Sequence, residues 1–134
     1  MKTIEEVARI AAERWADRVA SPKFDNGDPS FTGFITKALA EKLVKPVSNE
    51  SRTKLISHLV GTIVVYLSNT DSRVNMILGV DYGPDRCLAE AAHYAGIPTT
   101  NFPIKTTMWV SKNHIAVRYG YGAVIEYLYA NSNY

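Results

Sequence analysis

Seven side chains in the second half of the chain have the chemistry to bind a nucleotide-like ligand. Arginine and lysine pair with phosphate oxygens, aromatic rings stack on bases, and hydroxyl groups add hydrogen bonds. These candidate ligand-binding residues are Arg86, Phe102, Lys105, Thr107, Trp109, Arg118 and Tyr121. They fall in three stretches, and each stretch also has a purely structural interpretation.

The first stretch ends at Arg86, where a predicted strand turns into a predicted helix. A helix start presents free backbone N–H groups and the positive end of a dipole, so an anion would fit beside this arginine. The alternative is that Asp81 and Asp85 only cap the helix, and two carboxylates oppose an anion at the same place.

The second stretch is centred on Lys105. Phe102 and Trp109 supply stacking surface, while Lys105 and Thr107 supply a charge and a hydroxyl group. In the structural alternative, Phe102 and Met108 fill the core, Trp109 points to the other side of a strand, and Lys105 is solvated.

The third stretch surrounds Tyr121, which lies between Gly120 and Gly122. The glycines allow a bend or a close backbone approach, and Arg118 can pair with a phosphate or a carboxylate in bidentate fashion. Because the C-terminal region is rich in tyrosine, a residue type favoured at interfaces, an oligomer contact fits this stretch equally well.

Other chemistries lack support in the sequence. His58, His93 and His114 fall on different predicted elements without metal-ligand spacing, so no metal site and no cofactor are predicted. No phosphate-binding glycine loop occurs, and no nucleophile motif is present. Cys87 is interpreted as a small packing residue, and no catalytic residue is predicted.

The elements that must position these residues belong to one domain, residues 1–134, because the length is typical of a single core. The net charge of +2 is too small to indicate a nucleic-acid-coating protein. One cysteine indicates a reducing compartment, and the acidic N-terminus does not resemble a signal peptide. The longest apolar run, 63–67, is too short to span a membrane, so a cytoplasmic protein is expected.

Hydrophobic periodicity predicts three helices in the N-terminal half. The first runs from about Ile4 to Val19 behind a T-x-x-E capping box. The second begins at Pro29 and stops before Pro46, and the third is capped by Ser48. The β-branched run 63–65 leaves a strand open as an alternative for part of the third helix.

The second half of the sequence predicts a small β-sheet. A strand at 74–80, buried by neighbours, precedes a helix that Asp81 caps and that starts at Pro84, and Thr106–Val110 and Ile115–Tyr119 form a hairpin. Ala123–Tyr129 is open between strand and helix. The predicted fold class is α+β: three N-terminal helices, then a small, mainly antiparallel sheet with one further helix.

Four segments between Val80 and Tyr129 resemble small uncharacterised proteins carried by phages and prophages. The segments read D-Y-x-P-x-x-x-L-x-E-A, A-G-I, F-P-x-K-T-x-M-W and G-Y-G-A. The resemblance implies a phage setting in the cytoplasm of a host cell. It also implies a role in countering host antiviral defence by binding, without catalysis.

Two binding functions then compete. In the first, the protein is expected to sequester a cyclic or linear nucleotide signal in a pocket at the sheet end, and subunits of a homo-oligomer share this pocket. Alternatively, it is a protein-binding inhibitor of a host defence complex, of the anti-CRISPR kind, or an oligomeric interaction protein, and its aromatics form a flat interface. An enzymatic function ranks last, since it requires Asp81, Asp85 or Glu126 to meet in one cleft.

Overall fold

The computed structural model describes residues 1–21, 35, 38, 44–71 and 73–131. Its elements, in chain order, are α1 (Ile4–Ala20), α2 (Asn49–Ser68), β1 (Met76–Val80), α3 (Arg86–Ala95), a 3₁₀-helix (Thr99–Asn101), β2 (Thr106–Val110), β3 (His114–Tyr119) and β4 (Glu126–Ala130). The predicted α+β class is confirmed. Most of the helix predicted between Pro29 and Pro46 lies outside the described residues. Within that range, Ile35 and Ala38 are helical, whereas Val44 and Lys45 are not.

Helix α1 begins at the predicted capping box. The Thr3 hydroxyl oxygen accepts the Glu6 amide at 3.1 Å, and the Glu6 carboxylate accepts the Thr3 amide at 3.4 Å. Two of the amides that a helix start leaves without partners are satisfied in this way. The buried residues recur at helical spacing and therefore lie on one face of α1: Val7, Ala8, Ala11, Ala12, Trp15, Ala16 and Val19. Its four alanines allow α2 to lie close along α1.

Helix α2 continues through its β-branched run, so the strand alternative there is wrong. The Ser48 hydroxyl accepts the Ser51 amide at 3.1 Å and caps the helix start. Leu55, Leu59 and Ile63 are fully buried at four-residue spacing. Burial of this face outweighs the lower helix propensity of isoleucine and valine, which amounts to a few tenths of a kcal/mol per residue.

The four strands form one antiparallel sheet in the order β1-β2-β3-β4. The predicted β2–β3 hairpin is confirmed. The last element, which the sequence left open, is a strand. Gly120 and Gly122 have positive φ angles of 99° and 78°, a conformation that glycine adopts without strain. The turn they make returns β4 beside β3.

Strand β1, predicted to be buried by its neighbours, is buried on one face rather than on both. Met76, Leu78 and Val80 point into the core, whereas Ile77 is 60% exposed. The reason is topological, because in an antiparallel sheet covered by helices on one side every second residue faces outward. An apolar run alone does not distinguish the two cases.

Helix α3 starts two residues later than predicted, and its cap is Asp85 rather than Asp81. One Asp85 oxygen accepts the Leu88 amide at 2.9 Å, and the other accepts the Gly79 amide at 2.7 Å. Pro84 forms an isolated bridge with Val80 and therefore stays outside the helix. The cap thus ties the helix start to the edge of β1.

One hydrophobic cluster joins the helices to the inner face of the sheet. Trp15 and Phe102 are its largest fully or nearly fully buried rings, with centroids 6.2 Å apart. Such a ring pair adds about 0.5–1.5 kcal/mol beyond the buried area. The sheet residues in this cluster are Met76, Leu78, Val80, Met108, Val110, Ile115 and Val117. The opposite side of the sheet is called the outer face below.

Asn101 fixes the segment that leads into β2. Its amide nitrogen donates to the Val19 carbonyl at 3.1 Å and to the Lys45 carbonyl at 2.7 Å. Its amide oxygen accepts the Lys45 amide at 2.9 Å. A fully buried asparagine therefore connects the end of α1 to the segment before α2.

Candidate functional site

The outer face carries a row of four side chains, one from each strand. The strand register places Ile77 beside Trp109. It places Ala116 between Trp109 and Tyr127. We call these four residues the outer row. None of them belongs to the hydrophobic cluster of the core.

The two ends of the outer row face solvent. Ile77 is 60% exposed and Tyr127 is 64% exposed, while Ala116 between them is only 5% exposed because its larger neighbours cover it. Trp109 is half-buried. A rigid sheet that presents isoleucine, tryptophan and tyrosine in one line has the composition of a binding surface.

Arg118 lies beside the outer row, opposite Thr107 in the register. Its guanidinium carbon is 5.6 Å from the centre of the Trp109 ring, within the range of a cation–π contact. Its Nε atom is buried and has no hydrogen-bond partner in the described part of the chain. An unsatisfied buried donor costs about 1–3 kcal/mol, and a cation–π contact contributes about 0.5–2 kcal/mol in return.

A second group of side chains lies at the end of β1 and the start of β2. The Lys105 ammonium is 5.6 Å from the centre of the Tyr82 ring and 5.5 Å from that of Tyr121. The Tyr121 hydroxyl donates a hydrogen bond to the Asp81 carboxylate. This bond raises the pKa of Tyr121 above its ordinary value, because the carboxylate favours the protonated phenol. We call these four residues the sheet-end cluster.

The backbone holds Lys105 in an unusual conformation. Its φ angle is +57°, which an L-residue with a side chain seldom adopts. The Lys105 amide donates to the Asp81 carbonyl at 2.8 Å, and the Lys105 carbonyl accepts the Gly120 amide at 2.8 Å. These two bonds connect the Lys105 backbone to Asp81 and Gly120, the chain neighbours of Tyr82 and Tyr121.

An open groove of about 320 Å³ connects the sheet-end cluster to the outer face. It is lined by Ile77, Gly79, Val80, Asp81, Gly83, Asp85, Thr107 and Tyr121. Both carboxylates in it already accept hydrogen bonds, Asp81 from Tyr121 and Asp85 from two amides. The groove is shallow and open rather than enclosing, so it covers one side of a ligand.

The structure brings five of the seven candidate residues together and leaves Phe102 and Arg86 elsewhere. Thr107, Trp109 and Arg118 lie together on the outer face, with Lys105 and Tyr121 in the adjoining sheet-end cluster.

Phe102 is 2% exposed and packs on Trp15, so the structural interpretation holds for this ring and it offers no stacking surface. Arg86 lies on the first turn of α3 and forms an ion pair with Glu90 at 2.9 Å. The amide of Leu88, in the same first turn, already donates to the Asp85 carboxylate, so part of the proposed anion site is taken by the chain itself.

Two of the three carboxylates that an enzymatic function would require lie in one groove, and the third does not. Asp81 and Asp85 line the groove beside the outer row, whereas Glu126 lies 3.4 Å from Arg14 in a different groove between α1 and β4. The Ser111 hydroxyl lies 2.9 Å from Nδ1 of His114. It also accepts two backbone amides of the hairpin turn, and Ser111 is fully buried, so this pair is a turn motif rather than a nucleophile and its base.

Two kinds of feature are absent from the described residues, a metal-binding cluster and a membrane-spanning helix. No three His, Cys, Asp or Glu side chains among them are grouped so that they could hold a metal ion. None of the described helices combines the length and the apolar character needed to cross a membrane.

Sequence reasoning missed the two exposed ends of the outer row, Ile77 and Tyr127. A signal for them was present in the alternation of side chains along a strand, since a tryptophan facing outward implies outward neighbours on the adjacent strands. Identifying those neighbours required the strand order and register, which the sequence does not state.

The fold is similar to that of a solved structure of the C. elegans FOG-3 BTG/Tob domain. The TM-score is 0.62 at 13% sequence identity, over 96% of this chain and 91% of that chain. No protein-family model matches the sequence, and neither does any curated protein. The likeness at this identity shows a shared fold, and the functional argument depends on the residues described above.

Proposed function

We propose that this protein is a non-catalytic binding module that recognises a protein partner through the outer face of its sheet. The observation that carries the proposal is the outer row, a continuous line of side chains across all four strands with two exposed ends. Tryptophan, tyrosine and arginine are the residue types that contribute most to protein interfaces.

The shape of the surface favours a protein over a small molecule. Sites for small ligands are concave and bury most of the ligand, whereas the groove beside the outer row is shallow. A flat face of rigid strands suits a second protein surface, because little side-chain or backbone order is lost on binding. A flat face of this kind supports the alternative of a protein-binding inhibitor or interaction protein.

Photocrosslinking at two matched positions tests the proposal. A photoreactive amino acid replaces Ile77 on the outer face or Val65 on α2, and these residues are 60% and 64% exposed. In a lysate of the encoding organism or its host, we expect one discrete product from position 77 and none from position 65. The captured protein is then purified, and its affinity is measured for wild type, Ile77→Asp and Val65→Asp.

An affinity loss of tenfold or more, confined to Ile77→Asp, is the expected result, because the charge would be buried at the interface. Equal losses for both variants, or equal labelling at both positions, would refute the proposal. A cross-linked dimer of this chain would identify the partner as a second copy and support the predicted homo-oligomer.

Nucleotide sequestration is the second candidate function, and one observation favours it. Lys105, Thr107 and Arg118, which supply two charges and a hydroxyl group, are brought to the same side of the sheet. Native mass spectrometry of the purified protein, soaked with linear and cyclic nucleotides, tests this function. A stoichiometric adduct that is lost in Arg118→Ala would support it, and a clean apo mass would count against it.

A phage origin and a partner in host antiviral defence stay predictions from the four C-terminal segments. They become testable once the cross-linked partner is identified. A component of a defence complex would support them, and an unrelated partner would count against them.

A further inference from the structure

Arg118 differs from several other arginines of the described chain in having no acidic partner. Arg14, Arg52, Arg73 and Arg86 each lie within 4.0 Å of a carboxylate. No such ion pair is found for Arg118 among the described residues, although its Nε atom is buried. A half-buried guanidinium without a counter-ion can bind an oxyanion, because its N–H groups donate hydrogen bonds to the anion's oxygens.

The surroundings of Arg118 distinguish between oxyanions. The Arg118 guanidinium lies over the Trp109 ring, and its planar fork of N–H donors matches a planar carboxylate. Thr107, its register partner, adds a hydroxyl donor. The Asp81 carboxylate in the adjoining groove repels a doubly charged phosphate more strongly than a singly charged carboxylate.

We infer that Arg118 receives an aspartate or glutamate side chain of the partner, carried on a segment whose neighbouring apolar residue contacts Ile77 and Trp109. This inference rests on the proposed function, since it names the chemistry of the partner for the same face. It is supported by charge complementarity, because the cations of this region, Arg118 and Lys105, have no ion pair within the described residues.

The test uses synthetic peptides as probes. A bead-displayed library of random heptapeptides is screened against the labelled wild-type protein, and selected peptides are titrated against Arg118→Gln, Arg118→Lys and Ile77→Asp. Arg52→Gln is the matched control, because Arg52 pairs with Asp17 on the helical side of the molecule. Thermal unfolding of each variant checks that the fold is kept.

We expect selected peptides to contain Asp or Glu next to a large apolar residue. Arg118→Gln should weaken binding by about tenfold to a hundredfold, in line with the loss of a charge-assisted hydrogen-bonded pair. Arg118→Lys should restore only part of the affinity, because lysine lacks the planar fork. Changing the peptide acid to its amide should have little further effect in Arg118→Gln, since the two groups would act as one pair.

Three results would overturn the inference. The first is selected peptides without an acidic residue, and the second is a change of less than about twofold in Arg118→Gln. The third is additive losses from the protein variant and the peptide amide. If Ile77→Asp still abolishes binding in these cases, the proposed function stands and only the inference falls.

Two other results would reach the proposed function itself. Peptides that bind wild type and Ile77→Asp equally, or a library with no binders, would contradict both the inference and the protein-binding function. Binding of a nucleotide that depends on Arg118, in place of any peptide, would overturn the carboxylate inference and favour nucleotide sequestration.

Discussion

Replacing Asn101 by alanine is expected to lower the free energy of unfolding by about 3 kcal/mol. Three hydrogen bonds of about 1 kcal/mol each disappear, and the Val19 carbonyl and both backbone groups of Lys45 lose their side-chain partner among the described residues. The Val19 carbonyl belongs to the last turn of α1, where helix carbonyls have no partner within the helix. The lost hydrogen bonds are therefore those that hold the segment leading to β2 against the end of α1.

The Asn101→Asp variant separates this explanation from a simple loss of volume, because it keeps the size of the side chain. One carboxylate oxygen can still accept the Lys45 amide, but the other faces two carbonyl oxygens. At neutral pH we expect a loss larger than that of the alanine variant, about 4–5 kcal/mol, as for an unpaired buried charge. At acid pH the protonated group can donate to one carbonyl, so the deficit relative to wild type should shrink.

Urea denaturation at pH 7 and pH 4.5, followed by tryptophan fluorescence, measures both effects. The control is Thr53→Ala, which removes an exposed side-chain bond to the Asn49 carbonyl and should change stability by less than about 0.5 kcal/mol. A loss below about 1 kcal/mol in Asn101→Ala would refute the reasoning. An Asp variant as stable as wild type at pH 7 would refute it as well.

Two further predictions concern single titrating groups. Partial burial lowers the pKa of His114 below its ordinary value of 6.5, so the unfolded chain binds a proton at this histidine more readily than the folded chain does. The contribution of neutral His114 to the free energy of unfolding should therefore be complete above pH 6.5 and decline as the pH falls below 6.5. An NMR titration and the stability difference from His114→Gln at pH 7.5 and 5.5 measure this, and a pKa above 6.5 would contradict it. Burial, assisted by Asp85 and Glu90, raises the pKa of the Cys87 thiol to about 11, so iodoacetamide at pH 8 should modify it about a hundredfold more slowly than an exposed cysteine. Mass spectrometry follows the reaction, and a rate equal to that of a cysteine peptide would contradict the prediction.

Local signals in the sequence were sufficient for several elements. The capping box at Thr3 and Glu6 placed the start of α1, and Ser48 placed that of α2, because a cap acts within three residues of chain. The hydrophobic periodicity of the sequence predicted both helices. The hairpin was predicted from two β-rich runs and the short turn between them.

Errors arose where a distant contact decided the outcome. Asp81 and Asp85 are equally good caps by residue type, and the choice of Asp85 depends on the Gly79 amide at the edge of β1. The sequence predicted that neighbours bury β1, but Ile77 is exposed, since only the location of the helices determines which faces of the sheet are covered.

The sequence by itself determined the α+β class and the residue types available for binding, because propensity, capping and periodicity are local properties of the chain. Only the tertiary structure decided which of those residues lie together. Strand register joined Trp109 to Ile77 and Tyr127 on one face, and core packing removed Phe102 from the surface. Register and burial arise from contacts between residues far apart in the chain, which no local pattern specifies.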